Sequence, residues 1–385
     1  MGNRVGIVGV GQTHHRSKRS DVNGQEIINE AVSRALAGAE LTIEEIDAVV
    51  IGNMDHFEGI NYVDMWSVDG SGGYMKPIMK VTTGGTTGST VAAAGYYQAA
   101  SGLFDTVLAI GWEKNSESDT SAAIATCANP ILERETFAGA IGPLAAEYSM
   151  YMKKYGATED DAHLAAVRDH NNGANNPYAH LRKRVTLDDV RNSPMLAYPI
   201  RLLDMCPRSD GACAVIYASE NKARKITDTP AWVVTTTTRH DYTHFGDADW
   251  TIMQTLEEAS KAAYKKAGIK DPLHEFDVME LYLPASSCAV KWMESLGVCG
   301  RGEAPELIRE GVTDMDGELP VNPSGGVICT NPIGATALIR VAEAALQIMG
   351  KADKRQVPDV EKALATGFGG CSWSDVMVLS SSKPR

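Results

Sequence analysis

With 385 residues, 44% of them hydrophobic and 22% charged, the chain can bury a large core and is expected to form one extended or two fused domains. A net charge of −13 opposes non-specific binding to nucleic acid or to anionic membrane, both of which require a basic field. The seven cysteines (Cys127, Cys206, Cys213, Cys288, Cys299, Cys329, Cys371) are scattered and lack C-x-x-C spacing, which suggests reduced thiols and no zinc site.

Residues 4–10 are an apolar run fit for a buried strand, and they open the chain where a secretory signal would need a basic segment. No apolar run approaches the roughly 18–20 residues of a membrane span. A soluble, cytoplasmic protein is the expectation. A helical stripe at 24–39 and a strand at 46–51 follow. The connection at 52–62, GNMDHFEGINY, is rich in chemical groups and places His56 as a candidate base, although a histidine on a loop is ordinarily a surface residue.

The stretch KVTTGGTTGS at 80–89 runs into an apolar helix at 90–102 and a strand at 105–111. Such a loop presents backbone N–H groups of Gly85, Thr86 and Gly88 to an anion or a developing oxyanion. From 112 to 210 the pattern turns irregular, with helices at 144–155 and 159–171, and reads as an inserted subdomain. Strands at 212–218 and 231–238 lead into a second series: a helix at 251–267, a strand at 276–283, helices at 285–296 and 333–348, and strands at 362–368 and 376–380. Alternating strands and helices favour an α/β fold with sheets covered on both faces. The repeated order suggests a duplication into residues 1–220 and 221–385.

Several of these stretches together resemble the thiolase superfamily. KVTTGGTTGS followed by VLAIGWEK at 107–114 is similar to the family's C-A-S-G-S helix start and G-x-E turn. NPYAHLRKRVTLDDV (176–190), SPM (193–195) and RLLDMCPRSDGAC (201–213) resemble the sterol-carrier-protein and archaeal branch, almost without gaps. The resemblance implies the five-layered αβαβα thiolase fold. It also places the family's nucleophilic cysteine on Gly85, so the nucleophile is missing. ELYLPA (280–285) stands where the branch has E-V-H-D-A-F and puts Tyr282 at its histidine. NPSGGVICTNPIGAT (322–336) puts Asn331 at a second histidine, which in the family polarises the thioester oxygen. An amide can still donate a hydrogen bond to an enolate but cannot move a proton. TGFGGCSWS (366–374) resembles the branch's H-N-x-G-G loop, implying oxyanion contacts from Gly369 and Gly370.

Cys371 and Cys329 are the two thiols on these implied site loops. Either could be a displaced nucleophile, though each is more often a small buried residue. Ordinary thiolysis of a β-oxoacyl-CoA needs a thiol, an oxyanion hole and an enolate donor. Three repairs are open: Cys371 or Cys329 reaches in, free CoA attacks directly, or the reaction is a retro-aldol cleavage of a β-hydroxyacyl-CoA. In the last, Tyr282 or His56 would be the base. The resemblance extends to benzoylsuccinyl-CoA thiolases of aromatic degradation and to steroid side-chain aldolases. A non-catalytic acyl-CoA or lipid binder stays a third reading. Arg182, Lys183 and Arg184 form the best local basic cluster for CoA, with a solvated charge run as the alternative. CoA is expected as substrate or product, with no permanent cofactor and no metal. The family implies a homodimer and a small zinc-ribbon/OB-fold partner subunit.

Overall fold

The computed structural model describes residues 3–135, 139–242, 248–370 and 373–384. Nine strands form the main sheet: β1 (Val5–Gln12), β2 (Ala48–Gly52), β3 (Ile78–Lys80), β4 (Thr106–Lys114), β5 (Asp210–Ser219), β6 (Ala231–His240), β7 (Val278–Glu280), β8 (Lys362–Phe368) and β9 (Trp373–Ser380). Their spatial order is β3-β2-β4-β5-β1-β6-β9-β8-β7. The pairing repeats. From β1 outward it runs antiparallel to β5, antiparallel to β4, then parallel to β2 and β3. From β6 outward it runs antiparallel to β9, antiparallel to β8, parallel to β7, and ends on a parallel bridge between Met279 and Val321. The β1–β6 contact joining the two series is only Gly6–Trp232 and Ile7–Ala231.

Helices complete five layers. α1 (Gly24–Gly38) covers the outer face of the first series, and α5 (Gln254–Ala267) that of the second. Between the series lie α2 (Thr87–Ala100) and α6 (Ile333–Ile348), in a shared core with Val91, Val107, Leu338 and Ala365. These central helices approach closely because small residues face each other. A Cβ on Gly88 would stand 2.5 Å from the Leu338 backbone nitrogen, and strand β4 packs on α6 as tightly, a Cβ on its Gly111 standing 2.9 Å from Ala335 Cα. Gly88 is therefore a packing residue rather than the ligand-facing one expected.

α6 is buried along almost its whole length, so its polar side chains must be paired internally. Arg340 Nη1 donates to Glu280 Oε2 at 2.5 Å and to Ser324 Oγ at 2.7 Å; Arg355 Nε donates to Glu343 Oε2 at 2.9 Å. The first group ties the end of β7 to the loop at 322–326.

The strand expected at 276–283 is shorter than its apolar run. Beyond Glu280 the backbone leaves the sheet because side chains capture it: Leu281 N donates to Asn322 Oδ1 at 2.7 Å and Tyr282 N to Thr366 Oγ1 at 2.8 Å. That departure delivers Tyr282 to a cleft. α3 (Ile141–Tyr155), α4 (Glu159–Gly173) and a short hairpin (Met195–Ala197 with Ile200–Arg201) fill the irregular region between β4 and β5. No helix among the described residues is long and apolar enough to cross a membrane.

Candidate active site

Loops from both series converge on one cleft of about 770 Å³. Its floor is Gly84 and Gly85 before α2, Asn331 and Ile333 entering α6, Tyr282 after β7, and Phe368, Gly369 and Gly370 after β8. One wall is the segment Met205–Arg208, and residues between Thr120 and Leu144 form the roof.

Asn331 is the best-held polar group in it. Thr336 Oγ1 donates to its Oδ1 at 2.8 Å, which orients the amide so that Nδ2 points to Cys206 Sγ at 3.2 Å. Its backbone is held as well: its N–H donates to Ser209 Oγ at 3.1 Å and its carbonyl accepts from Asn115 Nδ2 at 3.1 Å. The side chain is therefore a fixed donor facing the cleft, the arrangement needed to meet developing negative charge without reorganisation.

Tyr282 is 4% exposed and lies against Phe368. Burial, reinforced by Cys206, pushes its phenol well above the usual range, so it is protonated at neutral pH and acts as a donor. That state favours a donor role over the role of base also expected of it. Cys206, half-buried in the wall, was not singled out from sequence. Its only signal was its place within the specific motif at 201–213. Burial pushes its thiol up to about 12, opposed by the Asn331 hydrogen bond, so it holds little thiolate at neutral pH.

Below Asn331, a buried carboxyl pair fixes the entry to α6. Glu113 Oε2 accepts from Met54 N at 3.0 Å and Gly334 N at 2.8 Å, and Glu58 Oε1 accepts from Lys114 N at 2.6 Å. Burial raises both carboxyls, Glu113 the more strongly because the charge of Glu58 adds to it, while the hydrogen bond with Glu113 partly offsets the rise at Glu58.

Several expected residues lie elsewhere. His56 is exposed: Met54 and Phe57 on either side are drawn into an apolar cluster with Ala123 and Ile333, which turns the imidazole to solvent. Cys329 is fully buried against Gly173, its Sγ donating to Asp169 O at 3.4 Å, and burial pushes its thiol far up; it does not line the cleft. Thr86 is buried, with its hydroxyl donating to Thr83 O at 2.6 Å, and is also absent from the lining. Gly369 lines the cleft, but its N–H donates to Trp373 O at 3.0 Å and is not free for an oxyanion. Arg182, Lys183 and Arg184 form an exposed run outside the cleft, Arg182 donating to Pro177 O and Arg184 to Asn175 Oδ1. The cleft's own cations are Arg134 and Arg208. Cys371 lies outside the described residues.

Gly85 explains the missing nucleophile in steric terms. A Cβ there would stand 2.5 Å from the carbonyl oxygen of Phe368 and 3.6 Å from Gly369 Cα. The position is closed to any side chain unless backbone moves.

A family model for the thiolase N-terminal domain matches residues 5–221, and one described as thiolase C-terminal domain-like matches residues 237–381. The chain is 33% identical to an acetyl-CoA acetyltransferase of Methanothermobacter thermautotrophicus, over 95% of this chain and 96% of that one. It is 29% identical to the benzoylsuccinyl-CoA thiolase subunit BbsB of Thauera aromatica, over 77% of each. Among solved structures it is similar to the Ltp2-ChsH2(DUF35) aldolase, with a TM-score of 0.84 and 25% identity over 98% of this chain and 97% of that one. With both family models matched across nearly the whole sequence, and the αβαβα layers and duplicated strand order in place, the chain belongs to the thiolase family and has the thiolase fold.

Proposed function

We propose that the protein cleaves the Cα–Cβ bond of a CoA thioester with no covalent intermediate at position 85, stabilising the departing enolate on Asn331. The observation that carries this reading is the pairing of a rigid amide donor at Asn331 with a nucleophile position that Phe368 closes.

The leading reaction is thiolysis of a β-oxoacyl-CoA by the thiol of a second CoA. The thiolate adds to the β-carbonyl carbon, the Cα–Cβ bond breaks, and its electron pair passes into the thioester as an enolate. Asn331 Nδ2 donates to that oxygen, and the enolate carbon takes a proton, regenerating a CoA thioester. Thiolysis suits a cleft with donors and no imidazole among the described residues of its lining, because a thiol is a few per cent thiolate at neutral pH, whereas an aliphatic hydroxyl is not ionised. The substrate would be a bulky β-oxoacyl-CoA of the benzoylsuccinyl type, in a degradation pathway. CoA would come and go as substrate and product in a cytoplasmic enzyme.

Retro-aldol cleavage of a β-hydroxyacyl-CoA is the second reading, favoured by the likeness to the aldolase. It breaks the same bond and leaves the same enolate, but needs a base for the β-hydroxyl. A homodimer would pair through edge strand β3 and α2, where Met79, Tyr97 and Trp66 are exposed. A small partner subunit is supported by the DUF35 component of the aldolase and by the naming of BbsB as a subunit.

The test is incubation with a β-oxoacyl-CoA and a β-hydroxyacyl-CoA, each with and without free CoA. CoA-dependent formation of two thioesters identifies thiolysis; CoA-independent release of an aldehyde or ketone identifies the aldolase. If neither substrate is cleaved and the α-protons of a bound acyl-CoA do not exchange, the chain is a binder and the proposal fails.

A further inference from the structure

The cleft is lined largely by apolar groups such as Ile124, Pro143, Leu144, Met205 and Ile333, yet two arginines, Arg134 and Arg208, also line it. Arg134 is engaged, its Nη2 donating to Thr126 O at 3.1 Å and Ala128 O at 3.5 Å. Arg208 is not. Among the described residues it makes no ion pair, and its one hydrogen bond is a long one, Nη1 to Thr120 Oγ1 at 3.5 Å. Arg208 is exposed at the edge of the cleft, whose described lining carries one acidic residue, Glu133; a guanidinium that makes no ion pair beside apolar walls favours an anionic ligand group over a neutral one.

Its place in the wall says which group. Cys206 touches the Asn331 amide, and Arg208 follows two residues later, at most about 7 Å along the chain. Pro207 holds Cys206 out of helical backbone, and both side chains reach the cleft. The flanking Ser209 accepts the Asn331 N–H. Arg208 thus stands beside the donor assigned to the thioester oxygen. The phosphates of CoA lie at the far end of the pantetheine arm from that oxygen.

We propose that Arg208 is a specificity-determining residue: its guanidinium receives a free carboxylate on the fragment that keeps CoA, so that the preferred substrates are those whose CoA-bearing fragment leaves as the thioester of a short dicarboxylic acid. This rests on the assignment of Asn331 to the thioester oxygen. A forked guanidinium matches a carboxylate with two parallel hydrogen bonds, which an uncharged chain of equal length cannot replace.

The experiment is isothermal titration of the wild-type chain, Arg208→Gln and Arg208→Lys with succinyl-CoA, glutaryl-CoA, their uncharged counterparts butyryl-CoA and valeryl-CoA, and free CoA. The wild type is expected to bind at least one dicarboxylic thioester about 10- to 100-fold more tightly than its counterpart, the scale of a charge-assisted hydrogen bond. Arg208→Gln should abolish that preference while leaving CoA and the uncharged thioesters unchanged, and Arg208→Lys should keep part of it. No preference in the wild type overturns the proposal. So does an equal loss for CoA and all four thioesters in Arg208→Gln, which would assign the guanidinium to the CoA phosphates. Failure of every thioester and of CoA to bind would instead remove the reading of the cleft itself, and this proposal with it.

Discussion

The carbonyl oxygen of Phe368 stands where a side chain on Gly85 would have to go, 2.5 Å from an added Cβ. The absence of the family's cysteine is thus built into the backbone, because the end of β8 occupies the space that a side chain there would need. Gly85→Cys is therefore expected not to create a working nucleophile. Gly85→Ala, which adds only the Cβ, should lower both turnover and stability, the latter by about 1–3 kcal/mol as overpacking does. Turnover on a verified substrate and a urea midpoint measure the two effects. A faster Gly85→Cys enzyme that accumulates an acyl group on the introduced thiol would show that the loop yields easily.

Asn331 owes its orientation to Thr336. Asn331→Ala removes the enolate donor and should slow turnover about a hundred- to thousand-fold, with CoA affinity nearly unchanged. Thr336→Val leaves the amide in place but removes the hydroxyl that fixes it, and should cost about ten-fold, the worth of one ordinary hydrogen bond. If Thr336→Val matched Asn331→Ala in severity while the fold stayed intact, Thr336 would itself be contacting the substrate.

The thiols separate what a sequence can display from what only packing decides. Cys329 and Cys206 both lie on loops beside the site, and the resemblance favoured Cys329 because it precedes Asn331 by two residues. The structure reverses them: Cys329 packs on Gly173 of α4, while Cys206 meets the amide. The span 333–348 was legible as a helix because an apolar run follows Pro332. The shortness of β7 was not, since it depends on Asn322 and Thr366, distant in sequence, capturing its backbone. Asn331 and Tyr282 were found by position in the family pattern; the walls that set their chemistry were not.

Cys206→Ser and Cys329→Ser test that reversal. Direct attack by CoA needs neither thiol, so both variants should keep turnover within a few-fold of wild type. Loss of all activity in Cys206→Ser, with recovery of an acyl-enzyme from the wild type, would make Cys206 the displaced nucleophile.

His15 predicts a pH dependence of stability. It is fully buried, and burial, with the charge of Arg340 next, lowers its pKa from 6.5 to about 3. The unfolded chain therefore binds a proton that the folded chain refuses. Above about pH 6.5 neither state is protonated there and the group costs nothing. Below it, stability falls with pH toward about 3, by at most ~1.4 kcal/mol per pH unit. Between pH 6 and pH 5 the wild type should lose about 1 kcal/mol more than His15→Gln, read from urea midpoints. Parallel curves would mean that His15 titrates normally inside the fold.

Tyr282 carries the last prediction, because its protonation state decides which role it can play. The phenol is buried beside Phe368, and its pKa lies well above the ordinary value of about 10. A group in that state can give a hydrogen bond, or a proton, to an enolate, but cannot accept the proton of a β-hydroxyl near neutral pH. Tyr282→Phe should therefore cost about a hundred-fold in turnover if the phenol delivers the proton to the α-carbon. The same variant should slow α-proton exchange on a bound acyl-CoA by a similar factor. The wild-type rate should show no rise between pH 8 and pH 10 that Tyr282→Phe abolishes. Such a rise would identify the phenolate as a base, and with it a retro-aldol route in place of thiolysis. Full exchange activity in Tyr282→Phe would instead leave proton delivery to water or to another side chain of the cleft.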